Sequence, residues 1–194
     1  MNMAKKNAKH QNQVRIIGGT HRGRKLSFAD ADGLRPTPDS VRERLFNWLG
    51  QDLSGLNVLD LFAGSGALGF EAASRHARQA VLVEKHRATA AHLAKQAEVL
   101  SLQDKVQTVH AEALAFLAHN RIRFDVVFLD PPFAWQQWSA LFAALPASLA
   151  EEAQIYLEAG RLPVLPPGFE TRKEGKAGMS RYVLLRYLAG NQAI

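Results

Sequence analysis

Five apolar runs from Asn57 onward constrain the fold more than any other feature of this chain. NVLDLF (57–62), AVLVE (80–84), VQTVH (106–110), DVVFLD (125–130) and QIYLEA (154–159) alternate with stretches of helical periodicity: ALGFEAASR, RATAAHLAKQAEVL, AEALAFLAH and WQQWSALFAAL. Short runs that are apolar on both faces need cover on both faces, and an intervening helix brings the chain back to the same edge. The pattern therefore predicts a parallel α/β sheet. The ending differs, because FETRKEGK (169–176) and MSRYVLLRYL (179–188) are joined by the turn GKAGMS with no helix between them. They are expected to pair antiparallel.

Ahead of the sheet, residues 1–13 are rich in Lys, Asn and Gln, have little to bury and read as a flexible basic tail. Residues 14–38 hold VRIIGG and RGRKLSF, a small hairpin, and then the turn-rich LRPTPDS. The main domain is expected over 39–194, opening with a helix capped by Asp39 or Ser40 and carrying Val41, Leu45, Trp48 and Leu49 at helical spacing. Between Met1 and Phe28 every charged residue is basic: Lys5, Lys6, Lys9, Arg15, Arg22, Arg24 and Lys25. With 24 Lys and Arg against 18 Asp and Glu, the surplus favours a phosphate-rich partner. The chain has no cysteine, hence neither disulfides nor thiolate metal sites, and its seven histidines lack metal-ligand spacing. No apolar run approaches the roughly 18 residues of a membrane span, so a cytoplasmic protein without a membrane contact is expected.

The segment Val58–Gly69, VLDLFAGSGALG, contains G-x-G-x-x-G at Gly64, Gly66 and Gly69. Such a loop beyond a strand end lets backbone approach a nucleotide-like ligand, and Glu84 lies where a ribose-binding acid is expected. Two features argue against a dinucleotide. Asp60 sits inside the strand end, and three residues separate it from Gly64; a carboxylate there repels a pyrophosphate. It suits the cationic amino group of S-adenosylmethionine, with Glu84 accepting from both ribose hydroxyls. Glu112 and Ala113, at the tip of the third run, stand where an adenine edge would lie. Singly, each has a structural explanation: Glu84 pairing with Lys85 or Arg87, Glu112 capping a helix.

The fourth run ends DPPF, Asp130 to Phe133. Two prolines end the ladder and stiffen the exit. An exocyclic base amine is a poor nucleophile because its lone pair is delocalised. Acceptance of its N–H hydrogens by the Asp130 carboxylate and the Pro131 carbonyl favours pyramidalisation, with Pro132 rigidifying the loop and Phe133 stacking on the base. No metal is required. Trp135 and Trp138 read as core packing of the next helix.

RIIGGTHRGRKL, LRPTPDSVRERLFNWL, VLDLFAGSGALGFEAASR, VEK, FLDPPF and GKAGMSRYVLLRY together resemble the class I S-adenosylmethionine-dependent methyltransferases. More narrowly, the chain resembles the bacterial 16S ribosomal RNA guanine-N2 methyltransferase family called RsmD. The resemblance implies a Rossmann-like fold with a seven-stranded, mostly parallel sheet whose last strand is antiparallel, plus the N-terminal β-hairpin. It implies cofactor contacts at Asp60, Phe62, Ala63, Gly64, Ser65, Gly66, Glu84, Lys85, Glu112 and Ala113, and catalysis at Asp130, Pro131, Pro132 and Phe133. RNA contacts fall at Arg22, Arg24, Lys25, Arg35 and Arg42, with cofactor or RNA left open for Arg35, Thr37 and Arg42. The implied partner is 16S ribosomal RNA in the small subunit or an assembly intermediate, met by a monomer. The catalytic motifs alone would also serve a DNA adenine-N6 methyltransferase; a nucleotide-dependent oxidoreductase rests only on the glycines and Glu84, and a non-catalytic RNA-binding assembly factor leaves DPPF unexplained.

Overall fold

The computed structural model describes residues 12–28 and 37–190. Arg35, most of the expected tail and residues 191–194 lie outside them. Strands β1 (Asn12–Arg15) and β2 (Lys25–Phe28) form the antiparallel hairpin, with a short 3₁₀ turn at Gly19–His21 between them. The hairpin begins inside the segment expected to be tail, because polar Asn12 and Gln13 pair with Phe28 and Ser27. A two-stranded ribbon asks for backbone partners there, not apolar side chains.

Helix α1 (Asp39–Trp48) follows, preceded by Pro38 at the cap with no side-chain cap bond, so neither Asp39 nor Ser40 caps it. Then come β3 (Asn57–Asp60), α2 (Ala67–Ser74), β4 (Gln79–Glu84), α3 (Arg87–Val99), β5 (Val106–His110), α4 (Ala113–His119), β6 (Phe124–Leu129), α5 (Trp138–Ala144), β7 (Leu149–Ala159), β8 (Phe169–Ala177) and β9 (Ser180–Tyr187). The large sheet has seven strands in the order β5-β4-β3-β6-β7-β9-β8. β3 to β7 are mutually parallel, and the last strand, β9, inserts antiparallel between β7 and β8.

Val58, Leu82, Val126, Phe128 and Tyr156 face one apolar layer with residues of α1, α2 and α3; Leu59, Val81, Val127 and Ile155 face the other, with residues of α4 and α5. Burial on both faces is why these strands read as continuous apolar runs. The hairpin shares the first layer. Val14, Ile16, Leu26 and Phe28 are buried in it, each contributing about 1.5–3 kcal/mol of burial. Its backbone is also tied down: Glu71 of α2 accepts from Ile17 and Gly18 N–H, both at 2.8 Å, and Ser74 Oγ donates to the Gly18 carbonyl at 2.6 Å. The basic hairpin is thus fixed to the sheet-bearing body.

The chain runs from β3 outward to β4 and β5, then returns to β6 on the other side of β3. That reversal opens a crevice beyond the carboxyl ends of β3 and β6, the usual ligand position in such sheets. No helix among the described residues is long and apolar enough to cross a membrane.

Candidate active site

Four acids close four neighbouring strands: Glu84 on β4, Asp60 on β3, Asp130 just after β6 and Glu158 on β7. Side chains alternate faces along a strand. Asp60 pairs in register with Leu82 and Phe128, and Phe128 with Tyr156, so Glu84, Asp130 and Glu158 each stand two residues beyond a member of one row. The carboxylates line a single ledge, on the face covered by α1 and α2.

The glycine loop hangs over its first half. Gly64 and Gly66 have φ of +50° and +77°, and a Cβ on Gly66 would meet Leu93 and Phe70 side-chain atoms at 2.7 Å. Asp60, 2% exposed, accepts the Gly69 N–H at 3.0 Å and so braces the start of α2. Glu84 accepts from Gly64 N–H at 3.1 Å with one oxygen and from His86 N–H at 2.8 Å with the other. Each oxygen retains a second lone pair for a ligand hydroxyl. Ala63 and Ser65 are buried within the loop, Phe62 is half-buried, and Lys85 and Glu112 are exposed. Ala113 begins α4, with Glu112 at its cap making no side-chain cap bond. Phe62 meets Trp135 edge-on at 5.2 Å, and Trp135 meets Trp138 at 5.0 Å; this aromatic stack ties the glycine loop to the segment after DPPF.

Burial pushes Asp60 up to about 7, with the neighbouring Glu84 charge adding to it and the Gly69 N–H opposing it. Asp130 is pushed up to about 8, first by burial and then by the charges of Glu158 and Asp60, against the Thr37 hydrogen bond. Two neighbouring acids whose charges oppose one another describe a site that favours a cationic ligand and disfavours pyrophosphate. The residues present therefore fit S-adenosylmethionine, whose ammonium and sulfonium groups bring positive charge. Among the described residues no cluster of His, Asp and Glu is arranged to hold a metal ion.

In DPPF, Pro131 is buried and Pro132 exposed. The Pro132 carbonyl accepts Trp135 N–H at 2.8 Å, whereas the Pro131 carbonyl has no hydrogen-bond partner among the described residues. Phe133 is 66% exposed, an unusual position for a phenyl ring and one open to stacking. Thr37 Oγ1 donates to Asp130 Oδ2 at 3.2 Å, leaving Oδ1 without a partner among the described residues.

Glu158 was not among the sequence-derived candidates. It is 7% exposed, takes the Tyr156 hydroxyl on Oε2 at 2.7 Å, and has no partner on Oε1 among the described residues. Its signal was present: QIYLEA carries an acid near its carboxyl end, as the runs that supplied Asp60, Glu84 and Asp130 do. Burial, and then the Glu158 charge, raise Tyr156 well above the usual phenol range, so it remains a donor.

The basic candidates separate into two groups. Arg22, Arg24 and Lys25 are exposed on the hairpin, with Arg24 Nη2 reaching the Val99 carbonyl at 3.4 Å. Arg42 does not belong with them. Its side chain is 0% exposed, donates from Nε to the Thr37 carbonyl at 3.2 Å and from Nη1 to Glu71 at 3.3 Å, and pairs with Asp39. Contrary to its placing among the RNA-facing cations, Arg42 is shielded from solvent among the described residues and engaged by Glu71, which also accepts Arg75 Nε at 2.8 Å. Thr37 is likewise 7% exposed and faces Asp130 rather than solvent. Hydrogen bonds run unbroken from Asp130 through Thr37, Arg42 and Glu71 to Ile17 and Gly18 of the hairpin.

Residues 14–186 match the family described as Conserved hypothetical protein 95. The chain is 42% identical over 187 residues to ribosomal RNA small subunit methyltransferase D of Escherichia coli strain K12, covering 94% of each chain. It is 40% identical over 179 residues to the protein of the same name from Haemophilus influenzae, covering 89% of this chain and 93% of that one. Among solved structures, the putative methyltransferase yhhF from Escherichia coli superposes with a TM-score of 0.82 at 42% identity, covering 92% of this chain and 99% of that one.

Proposed function

Because the chain belongs to the Conserved hypothetical protein 95 family, as a relative of ribosomal RNA small subunit methyltransferase D, we propose that it is an S-adenosylmethionine-dependent ribosomal RNA methyltransferase. Its acceptor is the exocyclic N2 amine of a guanine in the 16S RNA of the small subunit. The observation that carries the choice of base is the pair Asp130 and Glu158. Each is held by one hydroxyl of the chain, Thr37 or Tyr156, and each keeps one oxygen unengaged. Guanine offers adjacent donors at N2 and N1. Adenine offers a donor at N6 next to a bare acceptor at N1, which a second carboxylate repels.

Glu84 and the glycine loop hold the ribose and the amino-acid part of the cofactor, and Asp60 sets both loop geometry and local charge. Bound there, S-adenosylmethionine supplies an electrophilic methyl group whose departure neutralises its sulfur. Asp130 Oδ1 and the Pro131 carbonyl accept the two N2 hydrogens and direct the nitrogen lone pair; Glu158 Oε1 accepts N1–H and fixes the ring. Phe133 covers one face of the base. As the N2 nitrogen gains its new bond it becomes cationic and sheds a proton to Asp130. A carboxyl poised near 8 is a competent acceptor for that proton. Rate comes from alignment and preorganised charge.

The test is a transfer assay with labelled S-adenosylmethionine on small subunits lacking this methylation, followed by digestion to nucleosides. N2-methylguanosine is expected, and Asp130→Ala should remove it. N6-methyladenosine as the product, or full turnover by the Asp130 variant, overturns the reading.

A further inference from the structure

β7 ends at the ligand edge of the sheet, and its final residue Ala159 pairs with Arg181 of β9. The β8–β9 turn, Gly178 and Met179, therefore overhangs the same edge as DPPF. Lys176 of β8 stands directly opposite Arg181. Like charges facing one another across an antiparallel ladder are destabilising unless an anion lies between them. Arg161, just past β7, adds a third exposed cation. None of the three has a hydrogen-bond or ion-pair partner among the described residues, and Glu174, two residues along the same face as Lys176, pairs with neither.

Apolar surface accompanies this charge. Met179 is 83% exposed at the tip, and Phe133 is 66% exposed, its ring 3.7 Å from where a Cβ on Gly160 would stand. Gly160 links Ala159 to Arg161, so the ring lies against the exit of β7, and the tip with Lys176 and Arg181 stands at the same edge on the neighbouring strands β9 and β8. Arg181 shares a sheet face with Ala159 and Val183, which lie in the α4 and α5 layer; the N-terminal hairpin packs in the other layer. The two basic surfaces stand on opposite faces of the sheet, and the carboxylate ledge, on the same face as the hairpin, lies at the strand-end edge that joins them.

We propose that the β8–β9 tip, with Arg161, is a second RNA-docking surface, which grips the single-stranded segment flanking the methylated nucleotide. Lys176, Arg181 and Arg161 neutralise its phosphates, and Met179 packs against the base next to the one on Phe133. Exposed cations interleaved with an apolar platform are the chemistry that single-stranded nucleic acid requires. A reacting amine must be pulled clear of its neighbours, and contacts from both faces of the sheet hold the strand open while it enters. This inference rests on the RNA methyltransferase reading above and assigns the side of the site which that reading leaves bare.

The test measures binding of the full chain to unmethylated small subunits as a function of salt, with calorimetry of S-adenosylhomocysteine binding alongside. Combining Lys176→Ala with Arg181→Ala should flatten the slope of log affinity against log salt by about 1.4, from roughly 0.7 per phosphate contact. Affinity for S-adenosylhomocysteine should stay within twofold, and the melting temperature should hold or rise because a like-charge pair is gone. Met179→Ser should leave the salt slope unchanged and lower kcat/KM about tenfold. A wild-type slope in the double variant overturns the proposal. Failure of the wild-type chain to bind or methylate small subunits would instead overturn the RNA methyltransferase reading, so the two failures are distinguishable.

Discussion

Replacing Arg42 with methionine tests the buried chain that connects the hairpin to the Asp130 carboxyl. The wild-type side chain is 0% exposed and lies between Thr37, Asp39 and Glu71. Methionine matches its apolar stem and removes the charge. Breaking a buried ion pair by deleting one partner costs about 3–5 kcal/mol, chiefly because the other charge is stranded. Glu71 is only partly stranded, since Arg75 and the Ile17 and Gly18 N–H groups still donate to it. The lower end, about 3 kcal/mol, is expected. At about 2–4 °C per kcal/mol for a domain of this size, the melting temperature should fall by about 6–12 °C. Scanning calorimetry with a check of reversibility is the assay. Function supplies a second readout: the Thr37 carbonyl loses its donor, so Thr37 Oγ1 is less well held against Asp130, and kcat should drop while S-adenosylhomocysteine affinity persists. Arg42→Lys should rescue only part of this, because an ammonium cannot span Thr37, Asp39 and Glu71 as the guanidinium fork does. A melting shift below about 2 °C, or a loss confined to cofactor affinity, would refute the reasoning.

Asp130 makes a pH prediction whose sign follows from its direction of shift. The folded-state value, near 8, lies above the ordinary 3.8, so this carboxyl destabilises the native state increasingly as pH rises through that window. Asp130→Asn should raise the melting temperature relative to wild type more at pH 9 than at pH 5, and an equal effect at both would contradict it. If, as proposed, the ionised carboxylate takes the proton, kcat/KM of the wild type should climb with pH towards 8. The limb should lie lower in kcat, where a bound cation favours ionisation; a profile flat from pH 6 to 9 would sink this. Gly66→Ala introduces a side chain at φ +77° with contacts of 2.7 Å, so both thermal stability and S-adenosylhomocysteine affinity should fall; wild-type calorimetry for this variant would count against the loop geometry. Glu158→Gln should lower kcat/KM for guanine about tenfold to a hundredfold, the range expected from a charged hydrogen bond. It should raise the rate on reconstituted subunits carrying 2-aminopurine at the target, since that base keeps the amine and lacks N1–H; an unchanged ratio of the two bases would remove Glu158 from base recognition.

The sheet was legible because its signals are local. Each buried strand is an apolar run with its own periodicity, and the absence of a helix between β8 and β9 foretold their antiparallel pairing. The placement of Asp60, Glu84 and Asp130 was legible for the same reason: each acid stands at or just past the carboxyl end of an apolar strand. Glu158 obeys the same rule in QIYLEA, yet it has neither glycine loop nor proline pair beside it to draw the eye. Only register, which sets Tyr156 beside Phe128, brings it to Asp130. Arg42 is the opposite case. Nothing within SVRERLF separates it from exposed Arg44, since both are basic residues on one amphipathic helix. What separates them is Glu71, supplied by the neighbouring helix α2 that follows β3 in the sequence, and a hairpin whose Ile17 and Gly18 help close Glu71 off from water. Charge in sequence counts candidates for a polyanion, and only the fold subtracts those already neutralised. Applied to the other end of the chain, that subtraction removes Arg172 and Arg186, which pair with Glu170 and Glu152, and leaves Lys176, Arg181 and Arg161 among the cations without a counter-charge from the described residues. On the proposed RNA methyltransferase reading, the cations to test near the reacting base are those for which the described residues supply no counter-charge.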